Sequence, residues 1–219
     1  MALRAVFFDL DGTLLDTSMD LGNALNSVLE QNKLQKLKHE KIRPHVSNGA
    51  MALIKLGFGN ELPTPELQKH RQALLDFYNN NIATHTKPFD GVTELIQALT
   101  ASGIQWGIVT NKPALYTQEL MKNITFSSEP VATVCPEHLG ISKPDPAPLL
   151  HACKLAGCEP TEALYVGDHL RDIECGSNAK MPTIAVGYGF TAGDEHKRWG
   201  ATHCVDLASE IWPLIREHY

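Results

Sequence analysis

The chain reads as an α/β protein: a Rossmann-like doubly wound parallel sheet core with an inserted all-helical cap. Three observations carry this reading. Short, wholly apolar runs recur along the chain, amphipathic helical periodicity lies between them, and one interval is far too long for a single crossover. Unbroken apolar runs fit strands that are covered on both faces, as parallel strands are.

In chain order, the runs predict strands at 4–8, 105–109, 131–134, 163–166 and 183–186, with a weaker one at 203–205. Between them, Val92, Leu95, Ile96 and Leu99 follow helical spacing, with Asp90 placed to cap. Leu149, Leu150, Cys153 and Ala156 do the same after the proline-rich start "KPDPAP". The interval from the first strand to the second exceeds the roughly 30 residues of a βαβ unit. It opens with Leu21, Ala24, Leu25, Val28 and Leu29 on one helical face, with Asp16, Thr17 and Ser18 as capping candidates. Further helix-like sequence follows at 50–56 and 66–80, and no strand pattern appears. The expected division is a core of 1–15 and 87–219 and a helical cap of 16–86, hung as a lid from the end of the first strand.

Composition narrows the function. The 219 residues suffice for one sizeable domain plus a small insertion. A net charge of -6 argues against non-specific nucleic-acid binding and makes phosphate chemistry depend on a locally positive site. No apolar run is long enough to span a bilayer, and the apolar start is cut by Asp9 and Asp11, unlike a signal peptide. The five cysteines are an odd, scattered set without CxxC, which fits buried thiols in a reducing compartment. A cytoplasmic location is therefore expected.

Four strand ends carry polar residues. The first gives "DLDGT" with Asp9, Asp11 and Gly12; the second gives "VTN" with Thr110 and Asn111; "ISKPDP" supplies Lys143; and "VGDHLRD" supplies Asp168 and Asp172. In an open α/β sheet such ends converge at the ligand crevice. Asp9, Asp11 and Asp168 cannot stand together uncompensated, and hard oxygen donors favour Mg2+. The ion attracts a phosphate, whose other oxygens Lys143 and the Thr110 hydroxyl can hold, while Gly12 permits close backbone approach. One carboxylate can then be a nucleophile and another a general acid and base.

With all four motifs in order, the chain resembles the haloacid dehalogenase-like hydrolase superfamily, in its subgroup with a helical cap. The resemblance implies that Asp9 attacks phosphorus and that Asp11 protonates the leaving oxygen and then activates water. It implies that Thr110 and Lys143 bind the phosphoryl group. Mg2+ is implied at the Asp9 side chain, the Asp11 carbonyl and Asp168, supported by Asp172. The second acid, Asp11, favours a phosphatase over a dehalogenase. The cap stretch "VSNGA", 46–50, is similar to an active-site loop of the phosphoglycolate phosphatases, which brings in Asn48 and Gly49; Arg43 and His45, just before it, could meet a substrate carboxylate. The stretches at 106–113, 135–154 and 166–176 look closer to bacterial phosphatases of N-acetylmuramic acid 6-phosphate. The implied partner is a small phosphorylated metabolite, 2-phosphoglycolate or N-acetylmuramic acid 6-phosphate foremost, acted on by a monomer or homodimer that binds neither nucleic acid nor membrane. A sugar phosphomutase on the same fold is the alternative, but "SNGAMA" lacks the Ser-Arg pair usual in that cap loop. His169 and Arg171 read as rim residues or substrate contacts.

Overall fold

Four residues without a polar side chain, Ala5–Phe8, form strand β1 at the centre of the sheet in the computed structural model, which describes residues 2–219. The chain then runs through β2 (Leu15–Asp16), α1 (Ser18–Gln31), α2 (His39–Ile42), α3 (Ala50–Phe58), α4 (Thr64–Asn80) and β3 (Lys87–Pro88). It continues through α5 (Val92–Ala101), β4 (Gln105–Val109), α6 (Ala114–Met121), β5 (Thr133–Val134), α7 (Ala147–Ala156) and β6 (Ala163–Gly167). The last elements are α8 (Leu170–Asn178), β7 (Thr183–Val186), β8 (His203–Val205) and α9 (Ile211–His218). Among the described residues no helix is long and apolar enough to cross a membrane.

The main sheet has the order β5-β4-β1-β6-β7-β8, and every pairing is parallel. The chain winds outward from β1 in one direction, then returns to its other side. This reversal opens a crevice beyond the carboxyl ends of β1 and β6. Alternation along β1 explains the two buried faces. Val6 and Phe8 pack with Leu95, Leu99, Ile211 and Ile215 of α5 and α9; Ala5 and Phe7 pack with Leu149, Ala152 and Cys175 of α7 and α8. A fully buried side chain of this kind contributes about 1.5–3 kcal/mol.

Helices α1 to α4 share a separate apolar cluster that includes Leu25, Leu29, Leu53, Ile54, Leu74 and Tyr78. Phe190, from the loop after β7, inserts into it. The two crossings between these helices and the sheet run side by side as an antiparallel ribbon, Leu15 opposite Pro88 and Asp16 opposite Lys87. Asp20 clamps that neck: its buried carboxylate accepts from the backbone N–H of His85 and Thr86 and from the Thr86 hydroxyl.

Four local expectations change. The strand at 131–134 shortens to Thr133–Val134 at the sheet edge. The neck ribbon is strand that the sequence did not predict. Asp90 does not cap α5; Gly91, with φ 89°, holds the N-cap, and no side chain bonds there. Leu150 is exposed, because one residue beyond Leu149 turns the helix away from the sheet; Ala152 takes the buried place instead. Of the five cysteines, all free, four are buried and Cys204 is exposed.

Candidate active site

The crevice at the β1–β6 reversal collects the predicted acids. Asp9 follows β1 directly and donates its backbone N–H to Val166 O of β6 at 2.9 Å. Asp168 follows β6, and Asp172 lies in the first turn of α8, where its Oδ2 accepts from the His169 N–H at 3.0 Å. Carboxylate oxygens of Asp9, Asp168 and Asp172 lie within 4.8 Å of one another. All three residues are buried. Burial first, and then the neighbouring Asp9 and Asp172 charges, raise the pKa of the Asp168 carboxyl to about 7 against the lowering effect of the Phe190 N–H and the Ser47 hydroxyl. Asp9 Oδ1 is 2.9 Å from Lys143 Nζ, yet it makes no hydrogen bond. Three clustered carboxylates and an unsatisfied buried oxygen form a hard donor set that fits a divalent cation.

Gly12 explains the tightness of this corner. Its φ is 89°, and a Cβ there would come within 2.2 Å of Asp168 Oδ2. Only glycine adopts that backbone and leaves room for the carboxylate.

Lys143 is fully enclosed. Its Nζ lies 2.7 Å from Asp172 Oδ1 and donates to Val109 O at 3.0 Å and Tyr165 Oη at 2.8 Å. Burial alone would lower the lysine pKa, but Asp172 and then Asp9 reverse this and leave it above the ordinary value. The Asn111 side chain clasps the Lys143 backbone, donating to its C=O at 3.0 Å and accepting from its N–H at 2.9 Å. Asn111 therefore lines the cleft while its amide holds the lysine backbone, and the second N–H of its Nδ2 stays free for a substrate oxygen. Thr110 is buried beside it, and its Oγ1 accepts the Lys112 N–H at 3.2 Å.

Asp11 lies across the cleft floor from this group. Its Oδ1 accepts from the Thr17 hydroxyl at 2.7 Å and from Lys112 Nζ at 3.0 Å. Lys112 also donates to Tyr78 Oη of α4 at 3.0 Å. Burial lowers the Lys112 pKa, but Asp11 and Tyr78 more than reverse that. The sequence reading missed Lys112 although "TNKP" follows the same strand end as Thr110. Like Lys143, Lys112 is a cation placed beside a strand-end acid.

Asp9, Asp11, Thr110, Asn111, Lys143, Asn48 and Gly49 line one cavity of about 260 Å³. Gly12, Asp168 and Asp172 do not line it; Asp168 lines a neighbouring cavity with Ser47, His169 and Phe190. Arg43 does not line it: Arg43 Nη2 donates to Tyr188 O at 3.1 Å and its guanidinium stacks 5.1 Å from the Phe190 ring centre. His45 is exposed and does not line it either. The short helix at Arg43–Asn48 turns both side chains aside, a direction that spacing alone does not give.

The loop at 46–50 reaches the floor through Ser47 and Asn48. Ser47 Oγ donates to Asp168 Oδ2 at 3.0 Å, Arg171 Nη2 donates to Ser47 O at 2.8 Å, and His169 Nε2 is 3.2 Å from Asn48 Oδ1. His169 Nδ1 accepts from Arg171 N–H, so the ring proton sits on Nε2 and donates to Asn48. Burial, then Arg171, lowers the His169 pKa to about 4, which keeps this ring neutral. His169 and Arg171 thus join the two sides of the cleft.

The family model described as haloacid dehalogenase-like hydrolase matches residues 6–186. The N-acetylmuramic acid 6-phosphate phosphatase of Pseudomonas aeruginosa is 40% identical over 216 residues, 98% of this chain and 96% of the relative. The phosphoglycolate phosphatase of Xanthomonas campestris pv. campestris is 35% identical over 216 residues, 95% of each chain. The crystal structure of a predicted phosphoglycolate phosphatase from Haemophilus somnus superposes with a TM-score of 0.84 at 25% identity, covering 97% of both chains.

Proposed function

The chain belongs to the haloacid dehalogenase-like hydrolase family, and from that premise we propose that it is a Mg2+-dependent phosphomonoesterase working through an aspartyl-phosphate on Asp9. The observation that carries this reading is the buried triad of Asp9, Asp168 and Asp172 against Lys143, with Asp11 facing the same cleft. Asp9, Asp168 and the Asp11 carbonyl would hold Mg2+, with Asp172 behind, and the ion would neutralise charge at the phosphoryl oxygens.

The steps follow from the residues. Lys143 and Thr110 hold the phosphoryl group in line with Asp9. An Asp9 carboxylate oxygen bonds to phosphorus, the ester P–O bond breaks, and Asp11 protonates the leaving oxygen. Asp11, then ionised and paired with Lys112, takes a proton from water. That water attacks phosphorus, breaks the bond to Asp9 and releases inorganic phosphate. Thr17 and Lys112 fix the Asp11 carboxyl for both steps. Helices α1 to α4, read as a cap over 16–86, close the cleft above this chemistry.

The leading substrate is N-acetylmuramic acid 6-phosphate. Support comes from the 40% identical relative and from an apolar wall, Leu21, Val46 and Leu75, that a two-carbon acid would leave largely untouched. The test is phosphate release from N-acetylmuramic acid 6-phosphate, 2-phosphoglycolate and p-nitrophenyl phosphate, with Mg2+ and with a chelator. The reading expects Mg2+-dependent release and a preference of about a hundredfold for the amino sugar over 2-phosphoglycolate. Release that survives chelation contradicts the metal assignment; a reversed preference contradicts the substrate.

A further inference from the structure

Four cations line the cleft, and three already have partners. Lys143 pairs with Asp9 and Asp172, and Lys112 with Asp11. Arg171 donates to Ser47 O and His169 Nδ1. The fourth, Arg71 on α4, is half-buried and makes no ion pair or side-chain hydrogen bond among the described residues. Asp76, further along α4, is engaged by Gln72 Nε2 at 2.8 Å. Taking a guanidinium partly out of water without an acceptor is costly. Arg71 also interrupts the stripe Leu67, Leu74, Leu75 and Tyr78 that α4 buries, so its charge faces the cleft where a leucine would otherwise continue the packing.

We propose that Arg71 is the specificity-determining residue for the leaving group, and that this group carries a carboxylate which Arg71 binds. The phosphoryl end is met on the floor, by Lys143 and Thr110. Arg71 stands on a different element, beside Leu75 and Tyr116, so it meets the other end of the substrate. A planar guanidinium with open donors matches a carboxylate in two-point contact. The inference rests on the phosphatase reading and adds the residue that recognises the acid of the substrate, whether on a small hydroxy acid or on a sugar bearing an acidic ether.

Two matched pairs isolate the carboxylate. N-acetylmuramic acid 6-phosphate and N-acetylglucosamine 6-phosphate differ by the lactyl ether; 2-phosphoglycolate and 2-hydroxyethyl phosphate differ by the acid itself. Wild-type enzyme should favour the acid in the pair that fits the cleft by about tenfold to a hundredfold in kcat/KM. The pair that shows the preference identifies the source of the carboxylate. In Arg71→Met the ratio should fall to near one, chiefly through KM for the acid, and Arg71→Lys should restore part of it. Equal kcat/KM within both pairs for the wild-type enzyme overturns the proposal, whatever the variants do. So does a ratio unmoved in Arg71→Met, or a larger preference for glucose 1,6-bisphosphate over glucose 6-phosphate than for either acid. Release from p-nitrophenyl phosphate separates the cases: without it the phosphatase reading fails, and with it only the Arg71 assignment does.

Discussion

The floor and the roof of the cleft are built on opposite terms. On the floor, side chains project from the ends of parallel strands, and nearly every charge answers another: Lys143 with Asp9 and Asp172, Lys112 with Asp11. The backbone that carries them is fixed by the sheet, so reacting groups keep their spacing. On the roof, α4 contributes longer side chains and the loop at 46–50 short ones, and Arg71 pairs with no acid among the described residues. The difference separates two tasks. Chemistry shared by many substrates needs a floor complete before the substrate arrives; selection among substrates needs a roof that the substrate itself completes.

Breaking the floor should cost most. Asp9→Asn should lower kcat by about 10⁴-fold or more. It should leave the melting temperature unchanged or raised, because a like charge leaves the Asp168 and Asp172 cluster. Next comes Lys143→Met, which leaves two buried carboxylates unpaired. Denaturant melts should show a loss of about 3–5 kcal/mol. Lys112→Met should cost less, about 1–3 kcal/mol, because the Asp11 side chain is 16% exposed and water can replace part of the pair. A loss equal to that of Lys143→Met would mean that the join to Tyr78 and the roof matters as much as the floor.

Asp168 sharpens the same contrast through pH. Its folded pKa of about 7 lies above the ordinary 3.8. The contribution of this group to metal-free stability is therefore full below about pH 4 and is lost as pH rises through 7. Mg2+ requires the ionised form, so the concentration giving half-maximal activity should rise about tenfold per pH unit below 7. Titrations of Mg2+ at pH 5.5, 6.5 and 7.5 measure this. A flat profile would mean that Asp168 is ionised throughout and that its neighbours compensate it better than burial penalises it.

The floor was legible in the sequence and the roof mostly was not. Apolar runs such as Ala5–Phe8 and Thr183–Val186 must be strands, because a run without polar positions has no solvent face. Acids just after them must then meet at the sheet reversal, which located Asp9 and Asp168, and the need for a cation beside those acids pointed to Lys143. Direction on the roof depends on how a short helix sits against its neighbours. Arg43 looked suited to the cleft but stacks on Phe190, whereas Arg71, hidden in the middle of α4, lines it. The clue to Arg71 was a charge on an otherwise apolar helical stripe. The clue to Lys112 was its place just after "VTN", at the same strand end as Thr110. Ser47 stands in the loop at 46–50, and only the folded chain shows that its hydroxyl reaches Asp168. The neck ribbon, two residues on each side, is too short to leave a periodic trace.

The proposed reaction turns on a covalent bond between Asp9 and phosphorus. Enzyme in steady-state turnover of N-acetylmuramic acid 6-phosphate can be quenched in acid, reduced with borohydride and mapped by peptide mass spectrometry. An acyl phosphate is reduced to an alcohol and an unmodified carboxylate is not. Homoserine is expected at position 9, absent without substrate and absent in Asp9→Asn. Homoserine at another acid, or none at position 9 while phosphate is being released, would contradict it.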